Sequence, residues 1–351
     1  MKKHGMIRRA TVTIATGGLL LAGLLTAQSA SADVVDGGSL TSGTAVTAAI
    51  AVANRQVSYT FSAVKDEHVT FSTSTSTWSG NGSARMYLYV PVNNQYVLAD
   101  QWTAANGTTA LYDYTPNATG IWKITVAPLN NATGSTTFTY AKDVDKGIVA
   151  PNTSTTVATT VPGQNGVTHF TGTKDVHTTI DITASNWGTG NAVGYLYAPS
   201  GVLADWVSLA GTPTFYDFTP NVTGSWKFLI DPNASATGSA SVTFAPDQLK
   251  GQLDTNVAVT ATIASKGQNA SFGAYGIAGS DLPIKVTGAN FGTGSAKLWF
   301  YAPGSTLPYD QCTPAAGTTN CVFRPNTTGA WKLVLDPQGS ATGTATITRL
   351  T

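Results

Sequence analysis

The chain has 351 residues, of which 11% are charged, and its formal net charge is +1. This balance gives no electrostatic attraction to nucleic acid or to an anionic membrane surface, so neither is an expected partner. Glu67 is the only glutamate in the sequence. Because helix surfaces usually carry many glutamates, the composition favours β structure.

Residues 1–32 have the pattern of a secretory signal peptide. Four cations lie among the first nine residues, residues 11–27 are uncharged and mostly apolar, and Ala30-Ser31-Ala32 offers the small residues that a signal peptidase reads. The sequence predicts cleavage after Ala32 and a secreted, extracellular protein. Both general and twin-arginine export are compatible with Arg8-Arg9. No membrane span is expected after cleavage, and 15 cations (19 − 4) then face 18 acidic residues.

One phrase occurs three times in the chain, as Pro116–Lys123, Pro220–Lys227 and Pro325–Lys332. Its tryptophans are separated by 226 − 122 = 104 and 331 − 226 = 105 residues. A period of this length is the size of a whole domain. We therefore expect three related domains joined by short polar segments, in a semi-rigid row. The predicted boundaries are 33–143, 144–247 and 248–351.

The second repeat shows why each domain is expected to be a β-sandwich. Short runs rich in β-branched and aromatic residues alternate with Gly, Pro, Asn and Asp. The runs predict strands near 155–161, 167–172, 177–184, 192–198, 202–208, 213–219, 224–231 and 238–244. About eight strands in about 100 residues are typical of a sandwich or a jelly roll. The predicted fold is all-β, with three tandem jelly-roll-like domains.

The repeated tryptophans are candidate core residues. Trp226, Phe228 and Ile230 share one face of a predicted strand, and Lys227 lies on the other face. The same alternation surrounds the other two copies. The structural core is therefore predicted to include Trp122, Trp226 and Trp331, although an exposed binding role for these rings is the alternative.

An aromatic strand in each repeat is the candidate ligand site. If its aliphatic residues face the core, two rings per domain face outward, and a row of rings can stack on sugars. The candidate ligand-binding residues are Tyr87, Tyr89, Tyr195, Tyr197, Trp299 and Tyr301. The alternative is that these rings lie inside the sandwich. The expected partner is an extracellular polysaccharide or a cell-surface protein.

No motif for catalysis or for a cofactor is found. His68 and His177 occupy matching places and are interpreted as residues of surface turns, because a metal site requires more ligands at close spacing. Asp100, Asp205 and Asp310 occur once per repeat, and Asp113 and Asp217 also match. This recurrence favours a scaffold role. We therefore predict no catalytic residue, no metal and no cofactor, with a hydrolase that uses an unrecognised carboxylate pair as the alternative.

The two cysteines lie in the third repeat only. A secreted protein with two cysteines favours a disulfide, here Cys312–Cys321. Alignment places these cysteines where repeat one has Trp102 and Tyr112. With one residue deleted, it places them where repeat two has Trp206 and Tyr216. The prediction is therefore that a cross-strand Trp–Tyr pair is replaced by a Cys–Cys pair.

Two segments of each repeat resemble the bacterial pre-peptidase C-terminal domain. In the second repeat they are Val193–Gly201, with its Tyr-Leu-Tyr-Ala-Pro-Ser-Gly run, and Phe218–Lys227. The resemblance covers about 60 residues in each repeat and implies secreted β-sandwiches. The family usually accompanies a hydrolase and sometimes binds polysaccharide or protein. No hydrolase domain is recognised in this sequence. The leading hypothesis is a secreted non-catalytic binding or structural protein, with polysaccharide binding through the aromatic strand as the more specific alternative.

Overall fold

The computed structural model describes residues 33–210 and 214–351, so the predicted signal peptide lies outside the described residues. Within that part the protein has strands and turns but no helix. Its 27 strands form six sheets, which group as one five-stranded and one four-stranded sheet in each of three domains. The predicted fold class, three tandem β-sandwiches, is confirmed.

The first domain contains nine strands. They are β1 (Val34–Ser39), β2 (Ala45–Ile50), β3 (Gln56–Ala63), β4 (Val69–Trp78), β5 (Ser83–Val92), β6 (Gln95–Ala105), β7 (Ala110–Tyr114), β8 (Gly120–Pro128) and β9 (Gly134–Lys142).

The second and third domains repeat this arrangement. The second contains β10 (Val144–Ile148), β11 (Thr155–Thr159), β12 (Gly166–Gly172), β13 (Thr178–Asn186), β14 (Ala192–Tyr197), β15 (Leu203–Ser208), β16 (Thr214–Phe218), β17 (Gly224–Pro232) and β18 (Gly238–Pro246). The third contains β19 (Gln248–Gln252), β20 (Ala258–Ile263), β21 (Ala270–Gly276), β22 (Leu282–Asn290), β23 (Ala296–Tyr301), β24 (Asp310–Cys312), β25 (Thr318–Phe323), β26 (Gly329–Pro337) and β27 (Gly343–Arg349).

The strand order is the same in all three domains. In the first, the five-stranded sheet runs β1-β3-β8-β5-β6 and the four-stranded sheet runs β2-β9-β4-β7. Eight of these strands form the antiparallel sandwich of a jelly roll. The ninth, β1, adds to the edge of the larger sheet parallel to β3, as do β10 to β12 and β19 to β21.

All eight strands predicted in the second repeat are present, and one further strand, β10, was not predicted. The sequence interpretation assigned the start of this segment to a polar joint between domains. Its Asp145, Lys146 and Gly147 give it a weak strand pattern, but Val144 and Asp145 pair with β12. As a result a single residue, Asp143, separates β9 of the first domain from β10 of the second. Asp247 has the same position between β18 and β19.

The repeated phrase forms a turn followed by a core strand. Trp122, Trp226 and Trp331 are 0%, 2% and 1% exposed. Each indole N–H donates a hydrogen bond to the backbone carbonyl four residues earlier, at 3.0 to 3.2 Å, within the turn that the phrase encodes. The phrase therefore supplies both a core ring and the acceptor that satisfies its buried nitrogen.

The predicted disulfide is confirmed, with a Cα–Cα distance of 5.9 Å between Cys312 and Cys321. The prediction of a pair within one sheet is wrong, because β24 belongs to the five-stranded sheet and β25 to the four-stranded sheet. The bond therefore ties together the two layers of the sandwich. In the first domain the rings of Trp102 and Tyr112 stack at this place, with centroids 3.9 Å apart.

The alignment of the second domain also needs correction. Leu298 pairs with Cys312 and Met86 with Trp102, and the residue that pairs with the matching Gly194 is Val207. No residue is deleted between Asp205 and Val207, and Trp206 lies one position away, on the opposite face of β15. Val207 and Tyr216 pack against the core of this domain.

Candidate functional site

The candidate aromatic strand is β5 in the first domain, β14 in the second and β23 in the third. Its residues alternate between the core and the outer face of the five-stranded sheet. In β5 the side chains of Met86 and Leu88 are fully buried, whereas Tyr87 and Tyr89 are half-buried on the outer face. The other rings predicted to face outward are likewise half-buried: Tyr195, Tyr197, Trp299 and Tyr301. We call the outer surface of each five-stranded sheet, which carries these rings, the aromatic face.

At least one ring on each aromatic face has a lysine over it. The amine of Lys123 lies 4.6 Å from the ring centre of Tyr89, that of Lys227 lies 4.4 Å from Tyr197, and that of Lys332 lies 4.8 Å from Tyr301. Each pair consists of directly opposed residues on neighbouring strands. Cation–π contacts at exposed sites contribute only about 0.5–1 kcal/mol, so a ligand can displace these lysines.

The outer edge of each aromatic face also exposes apolar side chains. Trp206 is 59% exposed, and the other seven tryptophans are buried or half-buried. Its strand partner is Tyr195. Gln101 and Gln311 occupy the same position in the first and third domains, opposite Tyr87 and Trp299. Tyr96, Leu98 and Leu203 are further large exposed apolar residues on this side.

A second candidate region is the joint between the first two domains. His68 lies at the end of the turn that connects β3 to β4, and its Nδ1 is 2.7 Å from Oδ1 of Asp143, the single linking residue. Its Nε2 is 3.6 Å from Oδ1 of Asp113 on β7. The same Asp143 oxygen accepts the backbone N–H of Asn165, at 3.0 Å, from the second domain. The linking carboxylate is therefore held by both domains.

The joint between the second and third domains repeats this geometry. His177 Nδ1 is 3.0 Å from Oδ1 of Asp247, and its Nε2 is 3.5 Å from Oδ1 of Asp217. The backbone N–H of Asn269 donates to Asp247 at 2.9 Å. At both joints a glutamine of the following domain donates to a backbone carbonyl at the end of the preceding one, as Gln164 does to Lys142 at 2.7 Å and Gln268 does to Pro246 at 2.8 Å.

Both joints also bring a glycine close to the preceding domain. Gly163 and Gly267 have φ of +81° and +73°. A Cβ at Gly163 would lie 2.5 Å from Thr70 Oγ1, and one at Gly267 would lie 2.5 Å from Thr179 Cγ2. Glycine is therefore required twice over, by the backbone conformation and by the close approach of the two domains.

Both joint histidines are held in the charged form. Burial lowers the pKa of His68, but the hydrogen bonds and the charges of Asp113 and Asp143 outweigh burial and raise it to about 10. For His177 the corresponding contacts with Asp217 and Asp247 raise the pKa to about 10 as well. The hydrogen bond with His177 lowers the pKa of Asp217. Each joint is therefore an ion-paired cluster at neutral pH.

The interpretation of these histidines as residues of surface turns was incomplete. The turns are present, but they lie against the next domain, and the recurring Asp113 and Asp217 are the partners of the histidines. The other recurring aspartates stabilise their own strands: Oδ1 of Asp100, Asp205 and Asp310 each accepts the backbone N–H of the next residue, at 2.7 to 2.8 Å. In residues 33–210 and 214–351, no group of three or more His, Cys, Asp and Glu side chains is arranged to hold a metal ion.

No family model and no curated protein matches the chain. Among solved structures, the chain is similar to tripeptidyl peptidase 2, with 8% identity, a TM-score of 0.23, and coverage of 85% of this chain and 27% of that one. It is also similar to the tandem CBM22-1–CBM22-2 domain of Paenibacillus barcinonensis Xyn10C, with 7% identity, a TM-score of 0.19, and coverage of 53% and 82%. Likenesses this distant carry no argument about function. In the described part of the chain, no helix is long and apolar enough to cross a membrane.

Proposed function

We propose that this protein is secreted, is not an enzyme, and binds an extracellular polysaccharide through its three aromatic faces. The observation that carries the proposal is the outward direction of the six rings on β5, β14 and β23, which recur in register on the same sheet of every domain. Outward-facing aromatic rings provide apolar surface for the faces of sugar rings.

The rings differ in how open they are to a ligand. A lysine lies over Tyr89, Tyr197, Tyr301 and Trp299. Among the described residues no such contact is found over Tyr87 or Tyr195, and the exposed Trp206 lies opposite Tyr195. We therefore assign the strongest stacking to the second domain, where Tyr195 and Trp206 lie opposite each other on neighbouring strands.

Repetition of the face favours a polymer over a small ligand. Three weak sites on one chain can engage successive parts of one polymer, and the avidity then exceeds that of any single site by a large factor. The one-residue links at Asp143 and Asp247 restrict how far the sites move apart. Such an arrangement suits a repetitive ligand.

Secretion and the absence of catalysis are part of the proposal. The signal pattern of residues 1–32 and the disulfide both fit an oxidising, extracellular compartment. The recurring aspartates are engaged by histidines or backbone N–H groups, which supports structural roles for them. The resemblance to pre-peptidase C-terminal domains is consistent with an accessory binding role. A cell-surface protein as ligand, or a hydrolytic site elsewhere, remains the competing hypothesis.

Pull-down with insoluble polysaccharides and a glycan array on the mature chain test the proposal. We expect binding that falls at least about tenfold when Tyr195→Ala and Trp206→Gln are combined, because each lost ring removes about 1 kcal/mol or more of contact. Trp206→Gln alone matches the residue found in the other two domains. Phe215→Ala, an exposed ring on the four-stranded sheet, is the control.

Binding should also be visible in tryptophan fluorescence, with a change that Trp206→Gln greatly reduces. If binding persists in the Tyr195/Trp206 double variant and in variants of the rings of all three domains, the aromatic faces are not the site. If no polysaccharide binds, a purely structural role in the extracellular matrix becomes the better hypothesis.

A further inference from the structure

The aromatic faces carry positive charge that the protein does not neutralise. Lys123, Lys227 and Lys332 occupy the same register in the three domains, each opposite an outward tyrosine. Among the ion pairs of residues 33–210 and 214–351, none involves these three amines. Their observed partners are tyrosine rings, which leave the charge available to an anion.

Two further cations lie on the same faces. Arg85 neighbours Tyr87 on the outer side of β5, and Lys297 lies 4.7 Å from the ring centre of Trp299 on β23. Aspartates also lie here, in the second and third domains. In the second domain Asp145 pairs at 3.3 Å with His169, the residue directly opposite Lys227. Asp336 accepts hydrogen bonds from Trp299 Nε1 and Gln338 Nε2, both at 2.9 Å. Asp336 is therefore already engaged by two donors.

Asp231 is the matching residue of the second domain, and the charges of the first joint act on it. Burial raises its pKa, and the negative charges of Asp113 and Asp143 raise it further. Asp231 pairs with Val193, and at the equivalent place in the first domain Ala127 pairs with Arg85. The first domain therefore has an alanine where the second has Asp231. The aspartates therefore leave the lysine amines without a carboxylate partner.

We propose that the polysaccharide is acidic, carrying carboxylate or sulfate groups that pair with Lys123, Lys227 and Lys332 while its sugar rings stack on the neighbouring aromatic side chains. The inference rests on the proposed function and names its ligand class. Each ammonium leaves its tyrosine, or bridges the tyrosine and the ligand, when the anion arrives. The ion pair then replaces a cation–π contact of small energy.

Nucleic acid would also combine stacking with negative charge, but the number of cations disfavours it. Nucleic-acid sites neutralise many phosphates with clustered Lys and Arg, whereas each aromatic face has one or two cations. Single-stranded DNA is therefore included in the test as a competitor.

The test compares polymers that differ in charge and share a backbone. The probes are polygalacturonate and its fully methyl-esterified form, with alginate and heparin as further acidic polymers, dextran as a neutral one, and oligo-dT as nucleic acid. The full mature chain is compared with the triple variant Lys123→Gln, Lys227→Gln, Lys332→Gln. The control, Lys65→Gln, Lys174→Gln, Lys285→Gln, makes the same change in net charge with one lysine per domain, at positions away from the aromatic faces.

We expect binding to at least one acidic polymer, at least about tenfold weaker binding to its neutral counterpart, and weaker binding as salt is raised. The face variant should lose about tenfold or more in affinity. The control should retain affinity, as should the conservative variant with arginine at all three positions. A thermal unfolding curve establishes that the face variant is folded.

Equal binding of the charged and esterified forms, or full affinity in the folded face variant, overturns the acidic assignment and leaves the proposed function standing. Preference for oligo-dT over every polysaccharide also overturns it. If no polymer of either kind binds, the proposed function itself fails, and the acidic assignment fails with it.

Discussion

The distal face of a domain is the surface formed by the turn before β4, β13 or β22 and by the end of the domain's last strand. It is built from the same strands in the second and third domains but carries different side chains. In the second domain His177 pairs with both Asp217 and the linking Asp247. In the third domain Asp281 occupies the position of the histidine. Val322, which pairs with Pro283, occupies the position of Asp217, which pairs with Thr179. Because both domains have the same fold, the histidine cluster is not a requirement of the sandwich.

This difference separates residues that fold a domain from residues that join two domains. Trp226 and Trp331 are shared, and both are buried in the core. The histidine clusters occur only where another domain follows among the described residues. The side of the first domain opposite its distal face supports the same conclusion. There Arg55 pairs with Asp33 at 2.8 Å. At the equivalent position of the second domain, Gln164 donates a hydrogen bond to the Lys142 carbonyl of the preceding domain.

The largest expected effect comes from the shared core. Replacing Trp226 or Trp331 with alanine should destabilise the altered domain by about 3–5 kcal/mol, because a large buried ring leaves a cavity. Trp226→Ala should also weaken both joints, since the second domain contributes to each, whereas Trp331→Ala should affect only the second joint. Hydrogen exchange resolved by domain measures this asymmetry. A cost below about 1 kcal/mol would contradict the core assignment.

The next effect is specific to the third domain. Removing the disulfide with Cys312→Ser and Cys321→Ser should destabilise that domain by about 2–3 kcal/mol, the value expected for closing a loop of this length. Cys312→Val with Cys321→Tyr, which copies the second domain, should recover part of the loss through packing. Chemical denaturation with and without a reductant measures both. A reductant that destabilises the first domain equally would argue against an effect confined to the third.

Much of the fold could be predicted from the sequence, because repetition and alternation are local signals. The three tandem sandwiches follow from the repeated phrase, and the eight strands of the second repeat from its turn residues. Strand β10 was missed because its pairing is non-local, and the joint function of His68 was missed because its partners lie 45 and 75 residues away in the sequence (113 − 68 and 143 − 68). The position of Trp206 was misassigned because Trp206 matches Trp102 in identity but lies one residue closer to the recurring aspartate.

A smaller effect is expected when the joint itself is opened. Gly267→Ala places a methyl group against Thr179 and imposes φ of +73° on a residue with a side chain. We expect the third domain to stay folded while its contact with the second weakens by about 1–3 kcal/mol, the range of lost buried hydrogen bonds. The readout is faster exchange of the Asn269 amide, which donates to Asp247. Gly279→Ala, at a glycine with φ of +76° but open space around its Cα, controls for backbone strain alone.

The subtlest effect is a dependence of the joints on pH, which distinguishes them from the distal face of the third domain. The pKa of His177 is about 10 in the folded protein and has a reference value of 6.5. A group with a raised folded pKa contributes stability that is complete below the unfolded pKa and is lost as the pH rises through the folded pKa. Both joints should therefore be closed at pH 6, weaken progressively above pH 6.5, and open near pH 10. At the acid end, the lowered pKa of Asp217 implies loss of its contribution only as the pH falls below the usual range of aspartate.

Small-angle scattering and amide exchange at Asn165 and Asn269 should follow this transition while the cores of the sandwiches stay protected. In a chain with His68→Gln and His177→Gln, the exchange rates of these two amides should exceed those of the wild type at pH 6 and, after correction for intrinsic exchange, change little up to pH 10. An alkaline opening that persists in this variant would show that other groups control the joints. If the wild type shows no opening by pH 10.5, the imidazolium is not what holds the domains together, and the hydrogen bonds of Gln164, Asn165 and their counterparts are sufficient. Either result distinguishes charge from shape as the cause of the contact between the domains.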